Sequence, residues 1–114
     1  MTLRTMTEKL ALAVCCGPEN IDREVTGGYA GDLLSDVIAN SKAGNVWITM
    51  QVHSNIVAVA VLKELAAIIL VNGRQPAGDT LQKAAEENVV ILSSTKTAFD
   101  VVGGLYSLGV RNVP

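Results

Sequence analysis

The hydrophobic positions of this chain fall into short runs set apart by glycine, asparagine and charged residues. Three runs are almost continuously apolar: "VWITM" at 46–50, "AIILV" at 67–71 and "VVIL" at 89–92. Strands with no polar alternation belong to a sheet covered on both faces. Between them the spacing turns helical. Ser54 is positioned to cap a helix through Leu65, Asp79-x-x-Gln82 approximates a capping box for a helix to Asn88, and Thr97 opens a last helix ending near Gly109. This alternation predicts parallel strands joined by right-handed crossovers.

The first half is shorter in period. Thr5-x-x-Glu8 reads as a capping box for a helix to Ala11, followed by a strand over 12–16 and a turn at "GPEN". Residues 24–29 read as extended. Asp32 is positioned to cap a helix over 33–42, whose Leu33, Leu34, Val37 and Ile38 share a face, and "AGN" at 43–45 ends it. The expected fold is α/β: one compact domain over residues 1–114, with a mostly parallel sheet flanked by helices.

Composition narrows the function classes. The chain has 114 residues, 49% of them hydrophobic and 4% aromatic, enough for one real core. A net charge of −2 with no basic block leaves no electrostatic footprint for nucleic acid. No stretch of about 20 apolar residues predicts a membrane span, and Glu8 and Lys9 interrupt the N-terminal apolar run that a secretory signal would need. Cys15 and Cys16 are adjacent; on a regular strand they face opposite ways, one to the core and one outward. With nothing else to pair with, they point to a reducing compartment, the cytoplasm.

The stretch "DREVTGGYAGDLLSD" at 22–36 concentrates glycine and charge beside a helix start. A phosphate loop of the P-loop type needs Gly-x4-Gly-Lys-Ser/Thr. Gly27, Gly28 and Gly31 have other spacings and no lysine follows; a dinucleotide fingerprint also lacks its first glycine. Close backbone approach and turning are the plainer use of these glycines. Adjacent cysteines and one distant histidine form no zinc pattern and too few ligands for an iron–sulfur cluster, so no metal and no cofactor is expected.

In an open parallel sheet, ligands collect at the carboxyl ends of the strands. "TMQVHSN" at 49–55 leaves one strand there, and "VNGRQ" at 71–75 and "SSTKT" at 93–97 leave two others. Thr49, Gln51, His53, Ser54, Asn55, Asn72 and Arg74 are the candidate ligand-binding residues on this rim, beside Ser93, Ser94 and Thr95. A helix starting at Ser54 adds N–H groups and a favourable dipole for an anion. The plain alternative is that these groups cap helices and face water. His53, the sole histidine, has no nucleophile or orienting partner set beside it by sequence, so no catalytic residue is assigned.

Two helices suggest a partner. "NIVAVAVLKEL" at 55–65 has almost no polar stripe, and the last helix carries Gly103-Gly104 in its middle. A two-fold homodimer is the simplest cover for both.

With these residues in view, the chain resembles the DRTGG domain family. The motif stands here as Asp22-Arg23, then Glu24-Val25, then Thr26-Gly27-Gly28; Asp32-Leu33-Leu34-Ser35-Asp36-Val37, Trp47-Ile48-Thr49, His53, Asn55 and "AAIILVNGRQP" continue it, over residues 5–110. The resemblance implies a small α/β domain with a regulatory or dimerising role, as in the accessory regions of CBS-domain pyrophosphatases and some phosphate acetyltransferases. It also implies a fold similar to the amino-terminal domain of HPr kinase/phosphorylases, without their P-loop. Arg23, Thr26, Gly27, Gly28 and Asp32 are then secondary candidates for ligand contact, although local hydrogen bonding and close packing explain them as well. The leading expectation is a non-catalytic regulatory, binding or dimerisation module that senses a nucleotide or other anionic metabolite, with a possible protein partner in trans. The alternatives are a structural subunit of a larger metabolic or redox complex, or a small phosphotransferase or hydrolase using His53.

Overall fold

Five strands form one sheet. The computed structural model describes residues 1–112. Along the chain the elements are α1 (Leu3–Lys9), β1 (Ala13–Cys16), a 3-10 turn (Pro18–Asn20), β2 (Gly27–Ala30), α2 (Leu34–Asn40), β3 (Asn45–Thr49), α3 (Asn55–Lys63), β4 (Ala67–Leu70), α4 (Gly78–Glu87), β5 (Ile91–Ser93) and α5 (Ala98–Ser107). Strands β2 to β5 are parallel neighbours in sequence order, and β1 joins β5 antiparallel. The expected mostly parallel α/β fold is the one observed.

Crossovers of one hand that step in one direction along a sheet land on one face. Accordingly α2, α3 and α4 lie side by side, α3 touching both others. They close over Trp47, Ile68, Leu70 and Ile91 with Val37, Ile56, Val57, Ala60 and Ala84. The opposite face, carrying Val46, Ile48, Ile69 and Leu92, is covered by Leu3 and Met6 of α1 and Val101 and Leu105 of α5. Every residue of β3, β4 and β5 is buried, which is why those runs carry no polar alternation. The missing polar stripe of α3 is largely explained inside the chain. As the central helix of three it buries Ile56, Val57, Val59 and Ala60, and only Val61 and Leu62 remain exposed among its large side chains.

Several local readings shift. Helix α1 is capped by Thr2, which accepts from the Thr5 amide at 3.3 Å, so the expected Thr5 box lies one turn inside the helix. Its next free donors, the amides of Leu3 and Arg4, reach the carbonyls of Arg23 and Ile21. Asp32, Ser54 and Asp79 do not cap. The N-cap positions are Leu33, Ser54 and Ala77, and none makes a side-chain cap bond. Asp79 sits inside the first turn of α4, where its charge still suits the helix dipole. Thr97 does cap α5, accepting from the Asp100 amide at 3.3 Å.

The cysteines depart from strand alternation. Val14 pairs with Leu92 and Cys16 with Ile91, so a bulge inserts Cys15 between them. Both cysteines pack, half-buried, against the cluster under α3 and α4 instead of facing opposite ways.

Candidate functional site

Because β2 to β5 are parallel, the loops after Ala30, Thr49, Leu70 and Ser93 open on one edge. The primary candidates Thr49, Gln51, His53, Ser54, Asn55, Asn72 and Arg74 lie in or next to the loops of that edge, as does Asp32, but Ser54 lines a separate depression with Asp79, Lys83 and Glu86. Arg23, Thr26, Gly27 and Gly28 precede or begin β2 and therefore lie at the opposite, amino edge.

The carboxyl edge is cross-braced. Asn72 and Gly73 both have positive φ, 59° and 68°, and the Arg74 amide bonds the Val71 carbonyl at 3.1 Å. This is the type I′ turn that Asn-Gly favours, and Arg74 projects from its end. The Asn72 amide reaches the Lys96 carbonyl at 2.8 Å and the Gly73 amide the Ser94 carbonyl at 2.9 Å, while Asn72 Nδ2 meets Met50 Sδ at 3.1 Å. Asn72 thus ties three loops together.

Asp32 serves the same edge in place of capping α2. Its Oδ1 accepts from Thr49 Oγ1 at 2.7 Å and from the Met50 amide at 2.8 Å. Its carbonyl accepts from Gln51 Nε2 at 3.0 Å. At the far end of the same loop, the Val52 carbonyl accepts from Thr80 Oγ1 at 2.8 Å and the Ala77 amide at 3.1 Å. Residues 49–52 are consequently held from both sides, a pre-organised rim.

The donors expected at the start of α3 are partly consumed. The Ile56 and Val57 amides bond the carbonyls of His53 and Ser54 at 3.2 and 3.0 Å. Full charge must come instead from Arg74 and Lys96, both exposed and, among the described residues, in no salt bridge. His53 and Asn55 are exposed as well. Among the described residues no hydrogen bond reaches the His53 ring or the Ser54 hydroxyl.

At the amino edge the motif residues hold the fold. Arg23 donates to the Asn88 carbonyl at 2.7 Å and lies 3.5 Å from the Ala66 carbonyl. Asp22 takes a two-pronged bond from Arg4, which holds its carboxyl below the usual range chiefly through those hydrogen bonds. Thr26 Oγ1 donates to the Ala43 carbonyl at 2.7 Å and accepts from Asn45 Nδ2 at 3.3 Å. A side chain at Gly27 would strike the Arg111 carbonyl, and the Gly28 amide bonds that carbonyl at 3.2 Å. A groove of about 440 Å³ lies at this edge, but Glu24, Glu64 and Glu87 line it along with Arg23. Its acidic lining suits an anion poorly.

A surface that sequence reading underestimated lies on α5. Phe99 is 87% exposed and Tyr106 58%, with Ala98, Val102 and Gly103 between them. Nothing lies within 4 Å of where a Gly103 side chain would begin, whereas Gly104 packs on Leu10. The glycine pair therefore splits, one internal contact and one open position. The apolar spacing Phe99, Val102, Tyr106 was the available signal.

No family model matches this chain, and no curated protein matches it. Among solved structures it is similar to the CBS and DRTGG domains of the regulatory region of Clostridium perfringens pyrophosphatase, complexed with the activator diadenosine tetraphosphate. The TM-score is 0.65 at 12% identity, over 99% of this chain and 47% of that one. The fold is DRTGG-like. The chain spans about half the length of the structure it matches. No helix among the described residues is long and apolar enough to cross a membrane.

Proposed function

We propose that this chain is a non-catalytic, cytoplasmic regulatory module that binds an anionic metabolite of the nucleotide class at its carboxyl edge and acts as a homodimer. The observation that carries the reading is Asn72, whose bonds to Lys96 and Met50 brace three loops while the turn it begins holds Arg74 outward. A braced rim with free cations loses little freedom on binding an anion. The likeness to a regulatory region whose activator is diadenosine tetraphosphate supports a phosphate-bearing ligand. Asp32 is drawn into bonds with Thr49 and Met50, and Asp79 borders a separate depression with Lys83 and Glu86, which leaves Arg74 and Lys96 as the groups to meet phosphate.

The test is a thermal-shift screen of mono- and dinucleotides followed by calorimetric titration. A ligand at about 100 times its dissociation constant raises stability by about 2.7 kcal/mol. Failure of every nucleotide and phosphorylated metabolite to shift the transition would overturn the binding reading. Nucleotide turnover lost in His53→Ala would instead favour a phosphotransferase or hydrolase.

The exposed α5 face favours a second, compatible reading, a subunit whose apolar surface meets protein. A second copy is the occupant we propose, since isologous two-fold pairing is the commonest way to cover such a patch. A larger metabolic or redox complex is the alternative partner in trans.

A further inference from the structure

The bulge in β1 gives two neighbouring thiols one direction. On a regular strand Cys15 and Cys16 would part to opposite faces. Here the register passes from Val14–Leu92 to Cys16–Ile91 with Cys15 inserted, and both side chains pack against the α3–α4 side of the sheet. Both are free thiols and half-buried, so each keeps a route to solvent. Cys15 Sγ also lies 3.9 Å from Gln75 Oε1 on the loop after β4.

We propose that Cys15 and Cys16 form a dithiol site for a soft, two-coordinate ion, of which monovalent copper is the type. Three arguments select that class. First, thiolate ligands favour soft ions over magnesium, calcium or manganese. Second, among the described residues no group of three or more His, Cys, Asp or Glu side chains is set to hold a metal, so tetrahedral zinc finds too few ligands. An ion satisfied by two sulfurs does not need the third. Third, bridging by an ion suits the pair better than a direct disulfide. Adjacent Cα atoms are about 3.8 Å apart across a trans peptide, shorter than the roughly 4.4–6.8 Å that an ordinary disulfide spans. An inserted ion lengthens the link between the sulfurs and relieves that constraint.

The exchange balances simply. One monovalent ion binds two thiolates, and the two thiol protons go to solvent; no electron is transferred. Burial, then the Glu19 carboxylate and Cys15, push the Cys16 thiol above its ordinary value, so the ion displaces a proton that a neutral solution leaves in place.

The test uses the reduced chain without oxygen. Monovalent copper is supplied on bathocuproine disulfonate, and its transfer is read from loss of the chelator's colour. The parent is expected to take one copper per chain. Cys15→Ser and Cys16→Ser should each weaken binding by about 100-fold, because either change removes the advantage of two linked ligands. Circular dichroism checks that both variants keep the fold. Phenylarsine oxide supplies a readout without copper and without variants. Its arsenic exchanges one oxygen for two thiolates and releases one water, so the parent should gain a single adduct by intact mass that resists a monothiol and yields to a dithiol. Copper left on the chelator, single-serine variants that bind as tightly as the parent, or an adduct stripped by a monothiol would each overturn the site.

Discussion

Arg23 donates to the carbonyl of Asn88, 65 residues away, at 2.7 Å, and so closes the end of α4 from outside the helix. Asn88 is the left-handed C-cap of α4, and Ala66, the second acceptor, follows the left-handed Glu64 that ends α3. One cation therefore serves the C-terminus of α4, where the dipole favours positive charge, and the link between α3 and β4. Arg23→Ala is expected to lower stability by about 1.5–3 kcal/mol, the range for hydrogen bonds to charged groups. Arg23→Lys should recover only part of it, since an ammonium lacks the fork. Urea midpoints measure both. Loss of anion binding with unchanged stability would show that Arg23 serves a ligand instead.

Two glycines should respond in opposite directions. A methyl at Gly27 meets the backbone of Arg111, which cannot swing aside as a side-chain end can. Gly27→Ala should dislodge the segment that bonds the β2 edge through Arg111 and Asn112 and lower stability by about 1–3 kcal/mol. Gly103→Ala meets open space in mid-helix and should raise stability of the monomer by about 0.5–1 kcal/mol. Thermal denaturation of the pair settles the assignment; equal and opposite signs to these would refute it.

What could be read in advance follows from the range of the forces involved. The β3, β4 and β5 runs were legible because burial on both faces leaves a continuous apolar signature. The edge strand β1 was legible as a strand, but its bulge depends on pairing with β5, some 75 positions later, and nothing local marks it. The cap expected at Asp32 failed for a related reason. Asp32 has the right residue type for a cap but stands one position before the N-cap, Leu33, and Thr49 Oγ1 and the Met50 amide offer it partners across the edge. Local capping and distant hydrogen bonding compete for the same oxygen, and only the fold decides. The rim candidates could be named because the carboxyl edge of a parallel sheet follows from topology alone. The Asn72 brace was not, because its partners come from two other loops.

The α5 face offers a direct test of dimerisation. With Phe99 87% exposed, a solvated single chain would carry a contiguous apolar patch. Phe99→Asp and Val102→Asp should both convert a dimer into a monomer without loss of helix content, seen by sedimentation and circular dichroism. If the parent is already a monomer at high micromolar concentration, the homodimer reading fails.

Tyr29 gives a pH signature. Its hydroxyl donates to Asp36 Oδ2 at 2.5 Å, and that bond, followed by burial and the Asp36 charge, raises its pKa above the ordinary tyrosine value. The sign follows from the protonated form being the bonded one. Its stabilisation is complete below the unfolded tyrosine pKa of about 10 and is lost as pH rises through the higher folded value. The chain has two tyrosines. Tyrosinate absorbance should show a late step that Tyr29→Phe abolishes. A parent titration with no step above the normal range would contradict the bond.

The rim itself separates charge from scaffolding. Arg74 is exposed and makes no salt bridge among the described residues, so Arg74→Ala should leave the denaturation midpoint almost unchanged. It should nonetheless weaken any phosphate-bearing ligand about tenfold or more, by removing a charge-assisted contact. Asp32→Ala acts differently. It frees Thr49 Oγ1 and the Met50 amide, so stability falls by about 1–2 kcal/mol and the 49–52 loop loosens. Ser54→Ala removes no cap bond and should be nearly neutral, although a serine before a helix ordinarily suggests a loss of about 1 kcal/mol. Nucleotide titrations and urea midpoints on the three variants therefore have a fixed pattern: binding lost alone in Arg74→Ala, stability and binding reduced together in Asp32→Ala, neither changed in Ser54→Ala. An Arg74→Ala variant that binds like the parent would remove this edge as the anion site.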